Sequence, residues 1–189
     1  MKADERVIPG ISNTFNLQKH IARYNFVLSE VKDKRVLDLA CGTGYGSFLM
    51  SLVAKNVCGV DISGEAIDFA RDNFERNHIV FLKKDILDFN SKPQDIIISF
   101  ETVEHIKDLE ALEKKFSTLL KDGGKLIYSV PLYENYDNPY HVHKFTINEG
   151  LSLFPSFKLR DIAIQDGLNF SSKDEQKPFT YLIVSKIKI

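Results

Sequence analysis

The segment Arg35-Val-Leu-Asp-Leu-Ala-Cys-Gly-Thr-Gly44 constrains the fold more than any other part of the chain. A short apolar run carries Asp38 near its end, and Gly42 and Gly44 follow. Such a run bounded by glycines reads as a buried parallel strand entering a tight turn. Helical spacing resumes from Tyr45 to Leu52, so the turn opens onto a helix N-terminus. Strand, glycine turn and helix in that order form the layout of a nucleotide-type cofactor site.

Asp38 narrows the ligand. A dinucleotide site uses G-x-G-x-x-G and seats a pyrophosphate at the helix N-terminus. Here Ser47 stands where the third glycine belongs, and Gly46 comes one residue early. A carboxylate at Asp38 would also repel phosphates in a weakly screened site. Both features argue against an NAD(P)-binding oxidoreductase. A cofactor without phosphate and with a cationic end suits the turn. S-adenosylmethionine (SAM) has that character, and the pattern resembles motif I of the class I SAM-dependent methyltransferases.

The 189 residues amount to about one domain by the prior of roughly 100–200 residues per domain. We expect a single domain over residues 1–189, with an N-terminal cap helix region at 1–33 and the core at 34–189. Hydrophobic content of 43% and charged content of 27% suit a globular protein. A net charge of -1 gives no support for a nucleic-acid polyanion as main partner. Cys41 and Cys58 lie far apart with no C-x-x-C, which suggests neither a zinc site nor a disulfide framework. A polar N-terminus and reduced thiols point to the cytoplasm, and no run approaches the roughly 18 apolar residues of a membrane span.

Leu17, Ile21, Tyr24 and Leu28 recur at helical spacing and predict an amphipathic helix from about Thr14 to Glu30. Strand-like runs follow at Arg35–Leu39, Asn56–Val60, Ile79–Leu82, Asp95–Phe100 and Lys125–Val130. Ser63 and Asp108 can cap helices between them, and Asp122-Gly-Gly124 ends the second. Alternation of this kind gives a parallel sheet with helices on both faces. Thr146 and Glu149 form a capping box for a short helix. Lys158–Ile164 and Phe179–Ile189 read as two last strands, with Asp166–Pro178 a loop between them. The expected class is α/β: a three-layer Rossmann-like fold with a mostly parallel seven-stranded sheet and an antiparallel last strand.

Asp61 ends the second strand about twenty residues after the glycine turn, where an acid in this type of fold bonds ribose hydroxyls. The family resemblance implies further contacts. Asp85 would meet the adenine amino group and Ile86 would cover the ring, while Ile62 follows the ribose acid. Phe100 and Glu101 would lie beside the methionine moiety. Ala40, Cys41, Gly42 and Gly44 would form the turn, with Tyr24 on a helix covering the cofactor. Plain alternatives stand beside these. An Asp after a strand is often a cap or turn residue, Asp88 competes with Asp85, and Tyr24 also reads as core packing.

The resemblance covers nearly the whole chain. It extends to His20-Ile-Ala-Arg-Tyr24, Phe100-Glu-Thr-Val-Glu-His105 and Asn138-Pro-Tyr-His-Val-His143. These are similar to the ubiquinone-type O-methyltransferases and to small methyltransferases of sugar and polysaccharide modification. The expected activity is methyl transfer from SAM, with S-adenosylhomocysteine as product, to a hydroxyl of a small metabolite or sugar. Methylation of RNA 3' ends at the 2'-hydroxyl and non-catalytic SAM binding are the alternatives. His105 is the best candidate base, with His141 and His143 in the loop beyond the fifth strand. Histidine suits proton removal because its ordinary pKa is near 6.5. A helix-start role for His105 and a surface role for the other two are the bland readings. Glu101, Glu104, His105 and His143 also resemble a divalent-metal set, and mixed oxygen and nitrogen ligands would suit Mg, Mn or Zn. Tyr133, Tyr136 and Tyr140 could stack on an acceptor.

Overall fold

The computed structural model describes residues 7–132, 138–172 and 180–189. Two compact units divide the chain, one ending at Asn90 and the other beginning at Ser91.

The first unit opens with helix α1 (Thr14–Phe26), capped by the Asn13 side chain, which accepts from the Phe15 and Asn16 N–H groups. The chain breaks at Val27 before a single helical turn, α2 (Leu28–Val31). The expected uninterrupted helix to Glu30 is therefore two pieces. Val27 and Val31 are both buried, and β-branched residues at the junction favour the helix weakly.

Strands β1 (Arg35–Leu39), β2 (Asn56–Asp61) and β3 (Ile79–Lys83) run parallel in the order β3-β2-β1. The expected boundaries hold within one residue. Helix α3 (Tyr45–Ser51) leaves the glycine turn, and α4 (Gly64–Phe74) starts where the Ser63 hydroxyl accepts from the Ala66 N–H. Ala66, Ile67 and Ala70 form the buried face of α4. The Phe81 ring of β3 packs under the turn. A Cβ at Gly59 would lie 2.7 Å from it, and one at Gly44 would lie 2.8 Å from it.

Gly46, one residue early for a dinucleotide motif, has a packing reason. A Cβ there would sit 2.1–2.4 Å from three ring atoms of Tyr24. Glycine thus lets α1 lie on α3, with Tyr24 edge-on to Tyr45 at 5.9 Å and His20 bonded to the Tyr45 hydroxyl at 3.0 Å. We expect Gly46→Ala to cost about 1–3 kcal/mol, the usual size for overpacking. Urea denaturation checks it, and an unchanged midpoint would refute this account of the glycine.

The second unit contains β4 (Gln94–Ser99), a 3-10 turn (Val103–His105), α5 (Leu109–Leu119), β5 (Leu120–Leu132), α6 (Ile147–Ser152), β6 (Phe157–Asp166), β7 (Asn169–Ser171) and β8 (Thr180–Lys188). Its strand order is β4-β5-β8-β6-β7. β4 and β5 are parallel, whereas β8 lies antiparallel between β5 and β6. The N-caps fall where the sequence put them: Asp108 accepts from the Ala111 N–H, and Thr146 and Glu149 close a reciprocal box. The expected stop at Asp122-Gly-Gly124 instead lies inside β5, and α5 already ends at Leu119. Leu112, Phe116 and Leu119 form the buried stripe of α5.

Eight strands are described, not seven. The extra one, β7, lies inside the segment read as a loop. Among the described residues it pairs with Ile164, Gln165 and Asp166 of β6. Three residues with one aromatic, Phe170, carry no readable period. The expected start at Phe179, and the loop tyrosines Tyr133 and Tyr136, lie outside the described residues. Among the described residues no helix is long and apolar enough to cross a membrane.

Candidate active site

The turn after β1 is held in left-handed conformations at Ala40 (φ 64°), Gly42 (φ 55°) and Gly44 (φ 83°). Glycine adopts these without penalty, and alanine at position 40 does not. Two hydrogen bonds hold Ala40: its N–H and that of Cys41 both donate to the Val60 carbonyl, at 2.8 and 3.0 Å. The Cys41 thiol is buried, which pushes its pKa up, so it is inert packing beside Gly42.

Asp61, at the end of β2, ties the turn together. One carboxylate oxygen accepts from the Gly42 N–H at 2.9 Å and the other from the Ser63 N–H at 2.8 Å. One side chain thus sets both the glycine turn and the start of α4.

Asp38 is wholly buried. The Ser47 hydroxyl donates to one of its oxygens at 2.6 Å and the Tyr24 hydroxyl to the other at 3.5 Å. Burial raises its pKa to about 7. The two hydroxyls oppose that rise, and the Asp61 charge adds to it. Burial pushes Tyr24 well above the ordinary range, so it stays a donor. The sequence flagged Asp38 and Tyr24 but missed Ser47, whose only signal was occupying the position of the third glycine. His20, also missed, is held down to about 3 by burial, with Arg23 and Lys19 adding, and is neutral. The Thr43 hydroxyl of the turn donates to the Val7 carbonyl at 2.9 Å and ties the segment ahead of α1 to the turn.

Other expected cofactor residues are less uniform. Ile62 is 61% exposed and Ile86 is buried. Asp85 accepts from the Leu87 N–H at 2.8 Å, which makes it a turn-forming residue. In the second unit Phe100 is buried. Glu101 has a left-handed φ of 49°, and its N–H and carboxylate both bond the Ser129 hydroxyl, at 3.1 and 2.8 Å.

The histidines divide. A carboxylate oxygen of Glu104 and ring nitrogens of His105 and His141 all lie within 4.8 Å of one another. The His105 and His141 rings meet edge-on at 4.8 Å. His143 instead bonds the Ile106 carbonyl through Nε2 at 3.0 Å and packs on Phe145. Of the four groups expected to share a cation, the structure brings Glu104 and His105 together. It adds His141, engages Glu101 with Ser129 and turns His143 to the backbone. Glu104 is buried, and its carbonyl accepts from the Val142 and His143 N–H groups at 2.8 and 3.2 Å. Tyr140 is 56% exposed beside this cluster.

Comparison with known proteins agrees with this architecture. Residues 30–149 match the methyltransferase domain family. A "probable S-adenosylmethionine-dependent methyltransferase" of Mycobacterium tuberculosis is 24% identical over 168 residues, covering 85% of this chain and 61% of that protein. A ubiquinone biosynthesis O-methyltransferase of Coxiella burnetii is 34% identical over 103 residues, 52% of this chain and 44% of that one. The chain thus spans less than two thirds of the length of these relatives. The crystal structure of the N-methyltransferase NodS from Bradyrhizobium japonicum with S-adenosyl-L-homocysteine superposes with a TM-score of 0.76 at 17% identity. It covers 98% of this chain and 93% of that one.

Proposed function

Because this chain belongs to the methyltransferase domain family, with the fold of the class I SAM-dependent methyltransferases, we propose that it transfers a methyl group from SAM to a hydroxyl of a small metabolite or sugar. The observation that carries the reading is the Asp61 bridge. It presents a carboxylate next to a left-handed glycine turn, beside a buried acid.

When bound, SAM supplies an electrophilic methyl on a sulfonium. The residues of this chain do the rest. Asp61 accepts from the ribose hydroxyls. Gly42 and Gly44 let the backbone come close, and Ala40 and Cys41 complete the turn. Asp38 acts from behind the turn as a negative charge for the cationic end, with Tyr24 and Ser47 orienting it. Ile62, Asp85 and Ile86 serve the adenine side, and Phe100 and Glu101 the methionine side. His105 removes the acceptor's proton, His141 assists it, and His143 acts as a strut rather than a base. Holding an oxygen about 3 Å from the methyl carbon supplies several kcal/mol by orientation alone. A base adds roughly 10²–10⁴-fold.

A thermal-shift measurement tests the cofactor. S-adenosylhomocysteine at about 100 times its dissociation constant is expected to add roughly 2.7 kcal/mol of stability, and NAD none. A shift with NAD alone would overturn the assignment. The Glu104, His105 and His141 donors also suit a divalent cation. Labelled methyl transfer to fractionated extract that survives EDTA keeps His105 as a base. Loss in EDTA with recovery in Mn²⁺ replaces that step by a metal-assisted one.

A further inference from the structure

His105 ends the 3-10 turn of the second unit, and its Nδ1 lies 2.9 Å from the Tyr140 carbonyl oxygen. A carbonyl oxygen only accepts, so Nδ1 carries the ring proton. A neutral imidazole has one N–H, which makes Nε2 the lone-pair atom. Histidine in water prefers the opposite tautomer, so the Tyr140 carbonyl reverses the intrinsic preference of the ring.

That carbonyl is placed by neither helix nor strand. The Asn138 side-chain oxygen accepts from the Tyr140 N–H at 3.0 Å, and its backbone oxygen accepts from the His141 N–H at 3.2 Å. The first bond is an Asx turn and the second closes a four-residue turn around Pro139, whose ring presets φ. Beyond it, the Val142 and His143 N–H groups bond the Glu104 carbonyl, and His143 Nε2 bonds Ile106. The segment is thus pinned to residues 104–106 on both sides of His141.

We propose that Asn138 is the positioning residue of His105: its Asx turn presents the Tyr140 carbonyl that holds the ring in the Nδ1–H tautomer, so that Nε2 takes the acceptor's proton. The reactive half of this statement rests on the methyl-transfer reading. In that step the hydroxyl O–H bond breaks with its proton passing to Nε2. The oxygen forms a bond to the methyl carbon, and the carbon–sulfur bond breaks with its electron pair staying on sulfur. The tautomer itself rests on the hydrogen bonds alone.

Long-range ¹H–¹⁵N spectra of ¹⁵N-histidine-labelled protein at pH 8.5 test the tautomer without an identified acceptor. The five histidines are few enough to assign, with His105→Gln marking its signal. The expected pattern for His105 is Nδ1–H. Asn138→Ala is expected to move it toward Nε2–H, while Asn138→Asp, which keeps the side-chain acceptor, retains it. An Nε2–H pattern in the unmodified protein, or an unchanged pattern in Asn138→Ala, overturns the proposal. If the unmodified protein fails to bind S-adenosylhomocysteine in the same samples, the methyltransferase reading falls and the tautomer assignment is untouched.

Discussion

Asp61→Ala is expected to weaken S-adenosylhomocysteine binding roughly 10- to 100-fold and to lower stability by about 2 kcal/mol. The binding figure comes from hydrogen bonds to a charged group at about 1.5–3 kcal/mol, with about 1.4 kcal/mol per tenfold. The stability figure comes from the two backbone donors that Asp61 now holds, Gly42 and Ser63. Leaving one such donor unsatisfied costs about 1–3 kcal/mol where it is shielded from water. Asp61→Asn separates the two effects. The single amide oxygen can still hold one of the two donors while its NH2 faces the other, so at most about half of the lost stability returns, whereas the amide serves a diol poorly. Calorimetric titration and urea denaturation read the two quantities. A variant that loses stability and keeps its affinity refutes the ribose role and leaves Asp61 as a turn-forming residue alone.

The first unit was legible because its signals are local. Arg35–Leu39 is an apolar run punctuated by glycines, and Ser63 caps α4 through a bond spanning three residues. Asp108 caps α5 of the second unit in the same local way. Long-range partnerships were not legible. Gly46 could be seen as out of register for a dinucleotide, but not as the seat of the Tyr24 ring, because nothing local links positions 24 and 46. The choice between His141 and His143 was equally hidden. Their segment forms a turn and then extends along residues 104–106, so no helical or strand period assigns the two rings to faces. The available signal was Asn138-Pro139, a turn starter that sets the path of residues 140 and 141. Asp85 shows the converse: its turn bond to Leu87 matches the plain alternative that any acid after a strand carries.

The contribution of Asp38 to the stability of the unliganded protein is expected to fall as pH rises from about 4 to about 8, against an opposite rise from buried neutral His20, held down to about 3. Asp38→Asn is expected to remove the Asp38 part of the pH dependence. Asp38 ionises at about 7 in the folded chain, against an ordinary value of 3.8. The folded state therefore binds the proton more tightly than the unfolded state between those values, and this contribution drops with pH there. The contribution is whole below about pH 4 and is lost on passing through about pH 7. About three pKa units at roughly 1.36 kcal/mol each give about 4 kcal/mol, a large share of the 5–15 kcal/mol that holds a typical domain. Burial is the main cause. The Ser47 and Tyr24 hydroxyls favour the ionised form and oppose it, whereas the Asp61 charge disfavours that form. A cationic ligand supplies the missing counter-charge, so binding near pH 6 should release close to one proton. Titrations in two buffers of different ionisation enthalpy measure that number directly. The unmodified protein is expected to give about one proton and Asp38→Asn none, with weaker binding in the variant. Equal proton release in both would remove Asp38 from the cofactor's charge balance and leave it a buried structural acid.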